Sequence, residues 1–136
     1  MKTGLAAGAA AGLVAAGLAV AAHADPLTPY RWKSRLLVLA APDAGDRRLA
    51  AQRQALAASR TAMTERDLVV LDAVGTDERA VSLRRAVGLA TDAFRAVLVG
   101  KDGGVKISSP EPIPAQRLAS TIDAMPMRRE EMAPRP

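Results

Sequence analysis

Two short segments hold the side chains best suited to recognition. Tyr30-Arg31-Trp32-Lys33 carries the sole Tyr and the sole Trp of the chain. Met125-Pro126-Met127-Arg128-Arg129-Glu130 holds two of the five Met beside a run of charge. Aromatic and Arg side chains suit an interaction surface, because they join large contact area to directional hydrogen bonding. The candidate interaction residues are therefore Tyr30, Arg31, Trp32, Lys33, Met127, Arg128, Arg129 and Glu130. The competing reading is that both segments lie outside the core elements and brace the fold by packing on each other, with Trp32 stacked under an arginine.

Other chemistry is closed or weakly signalled. The chain has no Cys and one His, so thiol, disulfide and zinc-thiolate chemistry are excluded. The one histidine, His23, falls in a segment expected to be removed. Without it there is no Ser-His-Asp triad, no imidazole acid or base near neutral pH, and no histidine metal site. No catalytic residue, metal or cofactor is expected. Gly100-Lys101-Asp102-Gly103-Gly104 resembles a phosphate loop only superficially. A P-loop places its Lys after the glycines and leads into a helix, whereas here the glycines follow Lys101 and a strand follows them, as in a hairpin turn. Pro42 to Arg48 forms a strand-to-helix corner where exposed N–H groups could meet an anion. Asp43 and Asp46 would repel one, and they suit capping instead. Ser34 beside Lys33, and Ser108 near Lys106, would need a buried, deprotonated lysine to act as nucleophiles; both lysines lie at strand ends or on an expected edge strand.

The elements that must position these residues can be read from periodicity. Met1-Lys2-Thr3 gives a positive start, residues 4–22 are Gly, Ala, Leu and Val alone, and Ala22-His23-Ala24 fits a signal-peptidase site. Residues 1–24 are read as a signal peptide, which leaves 112 of 136 residues and, with Lys2 lost, lowers the net charge from +5 to +4. No transmembrane segment is expected after cleavage. Residues 25–33 form a Pro-punctuated lead-in, residues 34–126 the folded domain and residues 127–136 a charged tail. Ser34–Ala41 is an apolar run with the length of a strand buried on both faces. Asp43–Arg66 reads as one helix with Leu49, Leu56 and Met63 on its apolar stripe. Asp67–Val74 is a second strand. A second helix follows, capped by Thr76 or Asp77, lined by Ala80, Leu83 and Val87, and stopped by Gly88. Phe94–Val99 turns tightly into Val105–Ser108. Leu118, Ile122 and Met125 line a last helix that Pro126 ends. Helical crossovers predict that the first three strands are parallel, with the fourth antiparallel to the third. The order β-α-β-α-β-β-α predicts an α/β three-layer sandwich of thioredoxin-like type, with a mixed four-stranded sheet.

Three stretches, PYRWKSRLLVLAAP at 29–42, ERDLVVLDAVG at 65–75 and the run from Phe94 through GKDGGVKISS to IDAMPMRREEM, resemble the thioredoxin-like family called domain of unknown function 4174. That family is similar to a peroxiredoxin-related domain of some animal extracellular proteins. The resemblance implies a fold and an exported location; it says nothing about activity. The chain departs from the redox members of the wider superfamily. Their nucleophilic Cys sits at the first strand-to-helix corner, which here is Pro42-Asp43-Ala44-Gly45, and their cis-proline loop is here Ala90-Thr91-Asp92-Ala93. Since the thiolate is the nucleophile, their mechanism does not carry over.

The leading expectation is an exported, periplasmic or secreted, non-enzymatic module that binds a protein or small-molecule ligand. The alternatives are a cysteine-independent enzyme acting on a small substrate at the Pro42–Arg48 corner, and a purely structural envelope protein. Arg47, Arg48, Arg53, Arg60, Arg66, Arg79, Arg84 and Arg85 read as solvated helix faces, weakly attracted to anionic envelope surfaces. Export and the scarcity of stacking aromatics argue against nucleic acid. Mass spectrometry of the exported protein should find Asp25 first; a full-length chain retained in the cytosol would contradict the export reading.

Overall fold

Residues Arg35–Ala41 form strand β1, and all seven are buried. An apolar run without polar alternation must be covered on both faces, so β1 belongs inside a sheet. The computed structural model describes residues 24–135 and places it there. Leu68–Val74 (β2), Arg95–Val99 (β3) and Val105–Ser109 (β4) complete a four-stranded sheet in the order β2-β1-β3-β4. The expected export segment, residues 1–24, lies outside the described residues except for Ala24. Among the described residues no helix is long and apolar enough to cross a membrane.

Side chains of β1 alternate between two cores. Leu37, Leu39 and Ala41 face Leu49, Met63, Leu118 and Ile122, which lie on helices α1 (Arg47–Ala58), α2 (Arg60–Glu65) and α4 (Ala115–Asp123). Leu36, Val38 and Ala40 face Ala80 and Leu83 on α3 (Glu78–Ala86). The result is the expected α/β sandwich with a mixed sheet and helices on both faces. Asp46 caps α1 by accepting the Arg48 and Leu49 N–H groups, and Asp77 caps α3 through the Ala80 N–H. Gly88, at φ 78°, stops the second crossover as expected.

Three expectations need correction. The third strand is not parallel to the first: β1 and β2 are parallel, but β3 runs antiparallel to β1, with Leu36 opposite Val99 and Ala40 opposite Arg95. The cause lies in the connection. After α3, the turn at Val87–Gly88 and the irregular residues up to Phe94 carry the chain back to the end of the sheet where β2 finished. The connection thus leaves β2 and enters β3 at the same end of the sheet, passing across β1. The helix expected over 43–66 is two helices, broken at Ser59 with φ −124° and ψ 29°. The Ser59 N–H turns back to the Leu56 carbonyl at 3.1 Å, a tightened last turn at a residue type that competes with helix interiors.

The charged tail is the third correction. Met127 onward is not a tail, because Pro126–Met132 forms helix α5. Pro126 ends one helix and opens the next, since a proline at the first helical position loses no hydrogen bond. The lead-in is also less detached from the core than its polarity suggests. The Asp25 carboxylate accepts the Leu27 N–H at 2.9 Å, and Leu27 is buried in the α3-side core.

The glycine-rich segment is the expected hairpin. Gly103, at φ 87°, occupies the left-handed region that glycine adopts without strain. Its N–H reaches the Gly100 carbonyl at 3.0 Å, and the Gly100 N–H reaches the Gly104 carbonyl at 2.9 Å. The Gly104 N–H and then Lys106 hold the Asp102 carboxyl below the usual carboxylate range.

Leu37 and Val97 are fully buried in the two central strands. Leu37→Ala or Val97→Ala should cost roughly 2–4 kcal/mol in chemical denaturation, and a loss below about 0.5 kcal/mol would contradict their placement.

Candidate functional site

Arg35 opens β1 and is wholly buried. A guanidinium cannot shed its charge, so every partner it has must come from the protein. Its Nη1 donates to the Arg66 carbonyl at 3.0 Å and to Glu131 Oε1 at 3.1 Å, and its Nη2 donates to Glu131 Oε2 at 2.9 Å. The fork geometry makes this a strong charge-assisted pair. Lys101, just beyond β3, donates from Nζ to Asp67 at 2.9 Å and to Glu131 at 3.0 Å. Beside this cluster Arg66 holds Asp123 through two bonds, at 3.0 and 2.9 Å. Arg128 donates to Asp123 at 3.0 Å and to Glu65 at 3.3 Å. Four cations and four acids, from β1, α2, α4, α5 and two loops, close one end of the domain.

The electrostatics follow the geometry. The Arg35 guanidinium, with Lys101, holds the Glu131 carboxyl below the usual carboxylate range against the opposing effect of burial. Arg66 and Arg128 do the same for Asp123. Burial by itself would lower Lys101, but its hydrogen bonds to Asp67 and Glu131 outweigh that and raise it.

Above this network lies a groove of about 280 Å³. Trp32 forms one wall, Met125, Pro126 and Met127 the other, with Arg35 and Lys101 also in the lining. Trp32 is 63% exposed and sits at φ 69°, a left-handed conformation that a bulky residue adopts only when held. The Trp32 backbone N–H donates to the Lys101 carbonyl at 2.7 Å, which anchors the Trp32 backbone beside the hairpin. An exposed indole facing two thioethers is a surface for flat apolar groups.

The predicted residues divide. Trp32 and Met127 both line the groove. Tyr30 is half-buried against the α3-side core. Arg31, Lys33, Arg129 and Glu130 are exposed, and Arg31 lies 3.9 Å from Asp25. Arg128 is not a surface residue: it is 5% exposed and its guanidinium is engaged by Asp123 and Glu65, not by Trp32 or the lead-in. Sequence reasoning missed Arg35, Lys101, Asp123 and Glu131. A signal existed for Arg35, since a charge opening a strand buried on both faces requires a partner.

The remaining candidates are engaged elsewhere. Asp43 accepts the Gly45 N–H, Asp46 caps α1, and Arg48 pairs with Glu111 at 3.1 Å. Lys33 is exposed and Lys106 pairs with Asp102 at 3.2 Å, so neither is the desolvated lysine that a Ser-Lys pair requires. Arg47, Arg48, Arg53, Arg60, Arg79 and Arg85 are exposed as expected; Arg66 and Arg84 are not.

Residues 26–131 match the family model described as Domain of unknown function (DUF4174). The chain is also similar to coiled-coil domain-containing protein 80 of Danio rerio, at 29% identity over 134 residues. That alignment covers 79% of this chain and 16% of the relative, so the chain spans about a sixth of that protein's length. No solved structure matches.

Because Arg35 is buried and its charge is fixed, Arg35→Met should strand the acids facing it and cost about 3–5 kcal/mol. The pH dependence has a definite sign. Carboxyls depressed in the folded state contribute stability fully above their unfolded values, near 4, and lose it as pH falls through the folded values. Denaturation midpoints should therefore drop on acidification through that range, and less steeply in Arg35→Met. An unchanged acid slope would contradict the network's role.

Proposed function

We propose that this chain, which belongs to the Domain of unknown function (DUF4174) family, is an exported, non-enzymatic binding module of thioredoxin-like fold, and that the groove between Trp32 and Met125–Met127 is its binding surface. The groove carries the reading. Its indole is exposed on a backbone anchored to the Lys101 carbonyl, and its lining includes Arg35 and Lys101 of the charge network. Binding sites of this kind are favoured when the contact residues are pre-positioned, because little ordering is left to occur on binding. The fold reading is supported by the mixed sheet with helices on both faces, and the non-redox reading by the absence of Cys. The lead-in at 25–33 and helix α5 then have a common purpose, since one supplies each wall.

The single Trp makes the test direct. Mature protein screened by thermal shift against small molecules and short peptides should yield binders that change the indole emission. Trp32→Ala should weaken those binders about 30-fold, the loss expected of a central aromatic contact, while stability moves by less than about 0.5 kcal/mol, as for an exposed substitution. Binders held equally well by Trp32→Ala would place the binding surface elsewhere.

A further inference from the structure

A permanent positive charge on α3 is left without a counter-charge. Arg84 is 6% exposed, and among the described residues no carboxylate pairs with it. Its Nη2 donates to the Gly75 carbonyl. Its Nε–H is buried with no acceptor, and its Nη1 makes no hydrogen bond among the described residues. A guanidinium stays charged and is rarely buried unpaired, because desolvation of a lone charge is expensive. Arg35 meets that demand with Glu131; Arg84 has one neutral carbonyl. The end of α3 does not supply the missing anion. The carbonyls of Leu83, Arg84 and Arg85 already accept the N–H groups of Val87, Gly88 and Leu89, so the last turn has little left to offer a cation beyond its dipole.

The surroundings of Arg84 add donors. It lines a surface hollow with Arg85 and Thr91, on the α3 side of the sheet. Arg85 is exposed and also has no acid partner among the described residues. Thr91 Oγ1 accepts the Ala93 N–H at 2.9 Å, which leaves the hydroxyl proton to donate elsewhere. The acid in the lining, Asp92, is exposed and engages neither arginine, so water and salt screen it. Two unpaired guanidinium groups and a hydroxyl thus share one hollow.

We infer that Arg84, Arg85 and Thr91 form a site for a tetrahedral oxyanion, a phosphate or sulfate group, separate from the Trp32 groove and independent of it. Donors arriving from both a helix and a loop suit a group with acceptor oxygens on several sides better than a planar carboxylate. The test is thermal unfolding of the mature protein in sodium phosphate, sulfate, acetate and chloride at equal ionic strength. At about 10 mM, phosphate and sulfate should each raise the midpoint by about 4 °C over chloride, the shift expected near ten times Kd. Acetate should give less than half of that. Excluded salts stabilise any protein, so Arg84→Met sets the baseline, and its shift should be below about 1 °C. Arg85→Gln should halve the phosphate shift and Asp92→Asn should enlarge it, which decides the matter even if Arg84→Met does not fold. Phenyl phosphate identifies the source of the group: a larger shift than inorganic phosphate supports the site as one for an organic phosphate ester, and an equal shift supports it as one for the free ion. Equal shifts in wild type and Arg84→Met would overturn the inference. So would no shift, acetate matching phosphate, or shifts that Arg85→Gln and Asp92→Asn leave unchanged.

Discussion

Arg35 places a permanent positive charge at the start of the central strand, beyond the reach of water, and Glu131 makes that position tenable. A lone buried cation would cost several kcal/mol, and only a partner with good geometry and further hydrogen bonds offsets the desolvation. The position of α5 follows from this requirement, because the helix must present Glu131 to β1 from nearly a hundred residues away in sequence. Lys101 joins the same carboxylate, which ties the start of the β3–β4 hairpin to the helix. Trp32 in turn hangs from the Lys101 carbonyl. The groove is therefore the outer surface of a charge arrangement whose inner face serves stability.

What the sequence reveals depends on how local the cause is. The strand at 35–41, the caps at Asp46 and Asp77, the stop at Gly88 and the turn at Gly103 all rest on neighbouring residues, and each was legible. The direction of β3 was not, because it depends on whether an eight-residue loop returns along the sheet, and composition does not encode that path. Ser59 breaks a helix whose apolar stripe continues through Met63, so the seven-residue recurrence conceals the interruption. Pro126 was legible as a stop and illegible as a start, since the same ring chemistry serves both.

The candidate site was half legible for a related reason. Trp32 stands out as the sole Trp, and its sharing a groove with Met127 follows from the entry of the first strand lying near the exit of the helix Ala115–Asp123. Arg128 and Arg129 are adjacent and chemically identical, yet one is buried among acids and the other is exposed. Only the phase of a short helix separates them, and that phase is set by Pro126. Arg35 hid inside a run of leucines, where its neighbours suggested burial and its own type suggested exposure.

The place of β1 between β2 and β3 has a kinetic meaning. Leu37 pairs with Val70 on one side and with Leu98 on the other, partners 33 and 61 residues further along. The strand that contributes most to the core thus closes its loops late, and domains dominated by such distant pairings fold slowly for their size. Neither β1 with β2 nor β3 with β4 covers both faces of the central strand alone. Refolding should accordingly be a single cooperative event without a stable half, a property that coincident fluorescence and circular-dichroism transitions would register.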